Sequence, residues 1–237
     1  MKMVKSGKRV KSGIVNLDSL IQGGFKEKSI NLIAGGAGSG KTIFGIQFLM
    51  EGLKAGEVCI YITFEERKEK LYEDMSASFG WDLQSYETKN KLFYLEHSPE
   101  QVKSLIEEGG GTIDQIISKH KIKRIVIDSI TSFSLLYQDE LAKKEAGLAL
   151  FELINKWGCT AVLTSQAVSP KDEIHGAALE FEADSIILLY HFKQDGKRER
   201  ALEILKMRGT NHANATMLLD IAKDGLIVRA NQIVKIM

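Results

Sequence analysis

The residues with the clearest chemical meaning form one short glycine-rich segment. Residues 35–42 read Gly-Gly-Ala-Gly-Ser-Gly-Lys-Thr, which fits the pattern G-x-x-x-x-G-K-[S/T] without a mismatch. Glycines let backbone N–H groups turn inward around a phosphate, and a following helix adds about half a positive charge. Lys41 can reach the β- and γ-phosphates, and the Thr42 hydroxyl can ligate Mg²⁺. The segment, hereafter the phosphate loop, is predicted to bind ATP through Gly35, Gly36, Ala37, Gly38, Ser39, Gly40, Lys41, Thr42 and Ile43.

The flanking residues favour this interpretation. Residues 29–34 form a short apolar run, which predicts a buried strand before the loop. Residues 42–53 carry apolar side chains at helical spacing, and Gly56 can end that helix. An ordinary glycine-rich turn between a strand and a helix is the alternative. The full match in this setting favours the phosphate loop.

The same alternation of apolar runs and helical patterns continues along most of the chain. The other strands of this part are predicted at residues 57–64, 92–95, 124–128 and 159–165. The other helices are predicted at residues 65–79, 101–108, 113–121 and 140–157, the last with Leu141, Leu148, Phe151 and Ile154 on one side. Alternating strands and helices favour crossover connections and a parallel sheet that is covered on both faces.

The pattern changes after Pro170. Strands at 185–192 and 199–207 flank Asp195-Gly196, a dipeptide typical of a hairpin turn. Strands at 216–221 and 226–229 follow around a second Asp-Gly pair. The sequence therefore predicts one α/β domain: a mainly parallel twisted sheet flanked by helices, with an antiparallel C-terminal hairpin extension.

Binding of ATP needs only the loop, whereas hydrolysis also needs a carboxylate that organises the metal and a base that orients water. Asp128 ends the predicted strand 124–128, so its side chain should emerge at the carboxyl edge of the sheet, where ligands bind in open α/β sheets. We assign the organisation of Mg²⁺ to Thr42 and Asp128. A helix N-cap or turn role is the alternative for Asp128.

Two further strand ends carry side chains suited to hydrolysis. Glu65 and Glu66 follow the strand at 57–64, and one of them can act as the general base. Acidic residues also favour the first turn of a helix, so a helix-start role is open for the other. Gln166 follows the strand at 159–165 and could sense the γ-phosphate by a hydrogen bond. A polar strand terminus is nearly as well supported for Gln166.

Several stretches resemble the KaiC-type ATPases, within the RecA-like branch of P-loop proteins. The resemblance covers most of the chain, and its motifs are specific through their order and spacing. Besides the phosphate loop they are Ser12-Gly13-Ile14, Leu17-Asp18, Gly23-Gly24-Phe25, YITFEE at 61–66, FGWDL at 79–83, VIDS at 126–129 and KMRGTNH at 206–212. The clock protein of this family has two such domains in tandem, whereas this sequence holds one. The phosphorylation region of the second domain has no clear counterpart here, so the resemblance leaves autokinase activity open.

The resemblance implies features that the spacing alone does not. It implies a RecA-like P-loop NTPase core over residues 12–237, with Glu65 and Glu66 as the catalytic pair and Glu65 favoured as the base. It also implies a homo-oligomer, a hexameric ring with ATP at the subunit interfaces. In such a ring Lys206 and Arg208 would reach into the neighbour's site, and their two-residue spacing puts both on one face of a strand. Residue types alone favour solvated charges that face Glu199 or Glu203.

The charge is distributed unevenly along the chain. The net charge is +1, from 32 basic and 31 acidic residues, but residues 1–11 hold five basic residues and no acidic one. The remainder is therefore mildly acidic, which argues against a strongly basic nucleic-acid binder. Residues 167–180 hold one lysine, three acids and no aromatic residue, a poor surface for a nucleic-acid strand. The basic tail at 1–11 is the candidate nucleic-acid contact, although a solvated flexible terminus is favoured.

The remaining features bear on location and function class. Cys59 and Cys159 lie in apolar runs and are too few for a disulfide framework, which predicts buried reduced thiols and a cytoplasmic protein. No uncharged apolar run reaches the roughly 18 residues of a membrane span, so no membrane insertion is expected. The favoured function is a Mg²⁺-dependent ATPase whose ring serves a regulatory or motor-associated role with an unknown protein partner. The alternatives are a nucleic-acid-binding accessory protein of recombination or repair, and a nucleotide-switched scaffold, against which the intact glutamate pair argues.

Overall fold

The computed structural model describes residues 7–64, 66–134, 136–166 and 182–236. The strands are β1 (Arg9–Val10), β2 (Phe25–Lys26), β3 (Ile30–Gly35), β4 (Cys59–Thr63), β5 (Leu92–Glu96), β6 (Arg124–Asp128), β7 (Thr160–Gln166), β8 (Ser185–Gln194), β9 (Lys197–Met207), β10 (Met217–Ala222) and β11 (Gly225–Ile233). The helices are α1 (Leu17–Leu20), α2 (Lys41–Lys54), α3 (Lys68–Phe79), α4 (Leu83–Thr88), α5 (Pro99–Glu107), α6 (Gly111–His120), α7 (Ile130–Ser134) and α8 (Glu140–Trp157).

Within the described residues, nine strands form one sheet in the order β11-β10-β9-β8-β3-β7-β6-β4-β5. From β8 to β5 the neighbouring strands are parallel, and from β8 to β11 they are antiparallel. A separate pair is formed by β1 and β2. The predicted mainly parallel sheet and its antiparallel C-terminal extension are therefore confirmed.

Two apolar clusters cover the two faces of the parallel strands. Tyr61 and Val126 belong to the cluster that includes α2, whereas their chain neighbours Ile60 and Ile125 belong to the cluster that includes α8. Successive strand residues point to opposite faces, so both faces can be buried only if nearly every residue is apolar. This requirement explains the continuous apolar runs of the sequence.

Several helix boundaries and short elements differ from the predictions. The predicted helix at 65–79 begins only at Lys68, because the Glu66 amide donates to the Thr63 hydroxyl and the Lys68 amide to the Glu96 carboxylate. These bonds hold the chain after β4 in a non-helical turn. The sequence analysis also missed α1, α4, α7 and the β1–β2 pair, whose two to six residues are too short to show a period.

The inward side predicted for α8 is wrong at its first turn. Leu141 is 62% exposed, whereas Phe151 and Ile154 are buried. Asp139 caps this helix by accepting from the Leu141 and Ala142 amides, and the flanking residues 138–141 are all exposed. The helix therefore starts beyond the edge of the core.

The structure joins part of the basic N-terminal segment to the rest of the fold. The Arg9 guanidinium donates to the carbonyls of Ile21 and Gly24 and to the Thr210 hydroxyl. Lys8 pairs with Glu27 at 3.0 Å. These two charges are thus bound by protein groups, while the boundary between tail and domain at residues 11 and 12 stays a prediction.

The two cysteines are unpaired and buried. Burial raises the pKa of the Cys159 thiol to about 11 and also raises that of Cys59. Among the described residues, no helix combines the length and the hydropathy that crossing a bilayer requires. The burial of both cysteines agrees with what the sequence led us to expect of the thiols.

Arg124, the first residue of β6, is a buried cation that joins three parts of the fold. It is 3% exposed, and its guanidinium donates to the carbonyls of Lys11 and Phe48 and pairs with Glu57. It also lies over the Phe48 ring, 4.7 Å from the centroid. A Cβ at Gly52 would collide with the Arg124 side chain, so α2 can approach β6 only with glycine there.

Replacement of Arg124 tests this contact. We expect Arg124→Met to lower the free energy of unfolding by about 1–3 kcal/mol, because the buried carbonyl of Phe48 loses its donor. The measurement is urea denaturation followed by circular dichroism. Arg229→Met is the control, since Arg229 pairs with Asp220 at the surface, and its loss should be at most about 1 kcal/mol. Equal losses in the two variants would contradict the role given to Arg124.

Candidate functional site

The phosphate loop leaves the carboxyl end of β3 and enters the first turn of α2. Gly40 precedes α2 with a φ of 103°, a left-handed conformation in which a side chain would be strained. A Cβ at Gly35 would meet the Leu189 carbonyl and the Ser39 hydroxyl. The glycines therefore give the backbone both the conformation and the space to curl at this edge of the sheet.

Two side chains of the loop lie where they can contact a phosphate. The Ser39 hydroxyl is buried and has no hydrogen-bond partner among the described residues. The Lys41 ammonium donates to the carbonyls of Gly35 at 2.8 Å and Gly36 at 3.0 Å, so it already lies over the loop. An unpartnered buried donor and a cation beside a helix N-terminus fit a bound phosphate group.

Two residues of the C-terminal hairpin also contact the loop, and the sequence analysis missed both. The Arg200 guanidinium donates to the Gly38 carbonyl at 2.8 Å, and His191 Nδ1 lies 3.3 Å from the Ala37 carbonyl. His191 and Arg200 are direct partners in the β8–β9 register, so one cross-strand pair supports the apex of the loop. A single sequence gives no signal for this contact, because about 160 residues separate the partners.

Asp128 lies at the end of β6, and hydroxyl groups from three other elements converge on its carboxylate. Thr42 at the start of α2 donates to Oδ2 at 2.8 Å, and Tyr61 of β4 donates to the same oxygen at 2.7 Å. Thr164 of β7 donates to Oδ1. Asp128 is 7% exposed, so these donors compensate for the burial of its charge.

The Tyr61 hydroxyl is a dependable donor in this cluster. Burial first, and then the negative charge of Asp128, raise the pKa of Tyr61 well above its ordinary value. The hydroxyl therefore keeps its proton and donates to the carboxylate throughout the physiological range.

The segment that carries the predicted glutamate pair starts beside Asp128. Thr63 and Asp128 are partners in the β4–β6 register, and the Phe64 amide donates to the Asp128 carbonyl at 3.1 Å. The half-buried Glu66 follows, and its carbonyl accepts from the Tyr94 hydroxyl at 2.9 Å. Glu65 lies outside the described residues. The catalytic roles of both glutamates stay predictions.

Gln166 ends β7 directly opposite Gly35 in the parallel register. Its side chain is exposed, and its backbone amide donates to the Thr131 hydroxyl at 2.7 Å. The position is next to the first residue of the phosphate loop, so a role in sensing a phosphate stays a prediction that this geometry allows.

Lys206 and Arg208 lie elsewhere. Met207, between them, pairs with Ser185, and Ser185 pairs with Asn31 near the start of β3. The phosphate loop begins at Gly35, at the other end of β3. Gly35 is four residues from Asn31, or about 13 Å along the strand. The Arg208 amide donates to the Asp184 carbonyl, which fixes the backbone at that far edge. The fold therefore brings together Lys41, Thr42, Asp128 and the segment with Glu66, but not Lys206 and Arg208.

The donor set suits a metal that is held by few protein ligands. No group of three or more His, Cys, Asp or Glu side chains with the geometry of a metal site occurs among the described residues. Mg²⁺ usually binds through one or two protein groups, several waters and the phosphates of a substrate. Thr42 and Asp128, joined by a hydrogen bond beside the loop, fit that mode and do not form a cage for a transition metal.

A model of the family described as "ATPase: KaiC" matches residues 10–233. This chain belongs to the KaiC family of ATPases. The predicted resemblance is thus confirmed, and with it ATP binding and hydrolysis as the activity of the family.

Two groups of relatives and one solved structure are similar to this KaiC-family protein. A UPF0273 protein of Pyrococcus horikoshii is 34% identical and 96% of each chain is covered. The circadian clock protein KaiC3 of Synechocystis is 33% identical over 93% of this chain but only 45% of its own. The crystal structure of a KaiC-like protein from Pyrococcus horikoshii has a TM-score of 0.83 at 33% identity and covers 94% of this chain and 99% of that one. The chain thus corresponds to one KaiC-like domain, and the predicted RecA-like fold class is confirmed.

Substitution of Thr42 tests how this KaiC-family protein would hold the metal. We expect Thr42→Val to remove most of the effect of Mg²⁺ on nucleotide affinity, because valine neither ligates the metal nor donates to Asp128. Thr42→Ser keeps the hydroxyl and should retain the effect. The measurement is titration with a fluorescent ATP analogue, with and without Mg²⁺. An unchanged response to Mg²⁺ in the valine variant would rule out the assigned ligand.

Proposed function

We propose that this protein hydrolyses ATP in a Mg²⁺-dependent reaction at the subunit interfaces of a hexameric ring, in a regulatory or motor-associated role. The observation that carries the proposal is the set formed by Lys41 over the phosphate loop and the hydrogen-bonded pair of Thr42 and Asp128 at the carboxyl edge of the sheet. This set supplies the phosphate and metal contacts of nucleotide hydrolysis: a cation for the phosphates, a hydroxyl for the metal and a carboxylate that orients that hydroxyl.

Each residue would act from the position that the fold gives it. The backbone of the phosphate loop wraps the phosphates, and Lys41 exchanges the carbonyls of Gly35 and Gly36 for phosphate oxygens. Thr42 donates its proton to Asp128, so its oxygen lone pairs remain available to a metal. Bound Mg²⁺ would neutralise part of the phosphate charge that develops during transfer.

The glutamate segment supplies the activation of water in this proposal. Its start is fixed to Asp128 by the hydrogen bond from the Phe64 amide to the Asp128 carbonyl, and Glu66 follows Phe64 by two residues. A carboxylate there can accept a proton from water or orient it. Glu65 is the favoured base from the family resemblance, and Glu66 is its partner.

The place of Lys206 and Arg208 supports action between subunits. Since both lie at the sheet edge opposite their own phosphate loop, they are poorly placed to serve that loop. A ring that places the far edge of one subunit near the loop of the next would give them a function. Cations at a transition state for phosphoryl transfer can be worth about 10³–10⁵ in rate.

The nucleic-acid alternative gains no support from the described contacts. Lys8 and Arg9 of the basic tail are bound by Glu27, Thr210 and backbone carbonyls. The unfavourable segment 167–180 lies outside the described residues. With two buried thiols, the chain suits a reducing compartment, and we propose the cytoplasm as its location.

Replacement of the glutamates tests hydrolysis. We expect the double variant Glu65→Gln/Glu66→Gln to bind Mg²⁺-ATP with unchanged affinity but to lose at least about 100-fold in turnover, because amides cannot accept the proton. The measurement is release of inorganic phosphate at saturating ATP. Glu73→Gln, on the exposed part of α3, is the matched control and should keep full turnover. Undiminished turnover in the double variant would exclude both residues as the base.

A mixing experiment tests action between subunits. Arg208→Ala subunits and Glu65→Gln/Glu66→Gln subunits are each expected to be inactive alone. A mixed ring contains interfaces with an intact glutamate pair from one subunit and an intact Arg208 from the other, so mixing should restore part of the activity. Phosphate release is measured over a range of mixing ratios. Absence of any recovery in confirmed mixed rings would contradict action in trans.

A further inference from the structure

Three tyrosines form a continuous stack beside the candidate site. Tyr61 of β4 and Tyr94 of β5 are direct partners in the parallel register, with ring centroids 5.2 Å apart and planes inclined by 19°. Tyr72 of α3 contacts Tyr94 edge-on, at 5.5 Å and 87°. The pairing of β4 with β5 therefore fixes which rings meet, and α3 closes the stack. We call these three residues the tyrosine stack.

Two hydroxyls of the tyrosine stack reach the two functional parts of the site. Tyr61 donates to Asp128 Oδ2 at 2.7 Å, and Tyr94 donates to the Glu66 carbonyl at 2.9 Å. The stack thus joins the carboxylate assigned to the metal with the segment that carries the glutamates. None of the described hydrogen bonds joins the Tyr72 hydroxyl to Asp128 or to the segment with Glu66.

We propose that Tyr61 and Tyr94 are positioning residues, Tyr61 for the carboxylate of Asp128 and Tyr94 for the glutamate segment. The proposal rests on the proposed function, since it gives these two tyrosines a task within that site. The two residues have different expected effects. Tyr61 affects the dependence of nucleotide binding on Mg²⁺, whereas Tyr94 affects turnover.

Tyr61 can position Asp128 because it shares an acceptor oxygen with Thr42. Thr42 and Tyr61 both donate to Oδ2, and Thr164 holds Oδ1, so the plane of the carboxylate is fixed from three sides. Removal of the tyrosine donor leaves the carboxylate held by the two threonines alone, so it can turn more readily about its bond to Cβ. Thr42 then loses its fixed acceptor, and its own oxygen is no longer aimed where the metal would bind. Outer partners of metal ligands typically change metal affinity or activity by about 10–100-fold.

Tyr94 can position the glutamate segment because it binds the short connection between β4 and α3. Between Thr63 and the first turn of α3, the Glu66 amide is held by the Thr63 hydroxyl and the Glu66 carbonyl by Tyr94. Both peptide groups that flank Glu66 are therefore fixed. Loss of the tyrosine hydroxyl releases one of them and leaves the phosphate loop untouched.

The test is a set of tyrosine-to-phenylalanine variants, each of which keeps the ring in the stack and removes only the hydroxyl. For Tyr61→Phe we expect about a 10-fold rise in the Mg²⁺ concentration that half-saturates the binding of a fluorescent ATP analogue. Its nucleotide affinity without Mg²⁺ should be unchanged. For Tyr94→Phe we expect turnover to fall about 10-fold with the Mg²⁺ response unchanged.

Tyr72→Phe is the matched control, because it removes a hydroxyl from the same stack without touching Asp128 or Glu66. It should behave as the wild type in both measurements. A double variant adds a second check: in an Asp128→Asn background, Tyr61→Phe should have no further effect, because Tyr61 acts through Asp128. Thermal denaturation of every variant separates loss of fold from loss of position.

The outcomes separate this inference from the proposed function. A Tyr61→Phe protein with the Mg²⁺ response of Tyr72→Phe would overturn the role of Tyr61, even if the wild type hydrolyses ATP. Full turnover in Tyr94→Phe would overturn the role of Tyr94. A wild type that binds Mg²⁺-ATP without hydrolysing it would contradict the proposed function and the role of Tyr94, while the Mg²⁺ titration would still decide the role of Tyr61.

Discussion

The carboxylate of Asp128 is the point on which the rest of the site depends. Asp128 is the last residue of β6. Its carboxylate accepts hydrogen bonds from Thr42 of α2, Tyr61 of β4 and Thr164 of β7. A carboxylate that is 7% exposed needs such donors, since an unpaired buried charge is strongly unfavourable. One of these bonds, from Thr42, also fixes the first turn of α2 directly after the phosphate loop. Stability of the core and alignment of the site are thus provided by one group.

Strand register brings the other candidate residues to the same end of the parallel strands as Asp128. Parallel pairing brings the carboxyl ends of β3, β4, β6 and β7 together, so the phosphate loop, the glutamate segment, Asp128 and Gln166 all meet at that edge. The antiparallel extension has the opposite effect on Lys206 and Arg208, because β9 runs back to the far edge. Nearer the turn of the β8–β9 hairpin, His191 and Arg200 contact two carbonyls of the phosphate loop. The β8–β9 hairpin therefore extends from one end of the parallel strands to the other.

The extent to which the sequence predicts this arrangement depends on the range of each interaction. The phosphate loop and the end of β6 follow from local pattern, because a strand, a turn and a helix each leave a signal within a few residues. Tyr61 lies in an apolar strand and carries no sign that its hydroxyl meets Asp128, 67 residues away. Arg9 belongs to a run of basic residues that suggests a free tail, yet its partners lie in residues 21, 24 and 210. The helix predicted from Glu65 starts later because a local bond from the Glu66 amide to Thr63 and a long-range bond from the Lys68 amide to Glu96 compete with the helical ones. What a single sequence leaves out is the register that decides which distant side chains share a face.

The most direct test of this account is a crystal structure of the protein with Mg²⁺ and a non-hydrolysable ATP analogue. The account predicts that the Lys41 ammonium contacts the β- and γ-phosphates, and that the Thr42 oxygen ligates Mg²⁺ while its proton remains bonded to Asp128. It also predicts that Tyr61 keeps its hydrogen bond to the same carboxylate. A metal bound away from Thr42, or an Asp128 side chain turned away from Thr42 and Tyr61 in the complex, would contradict the account.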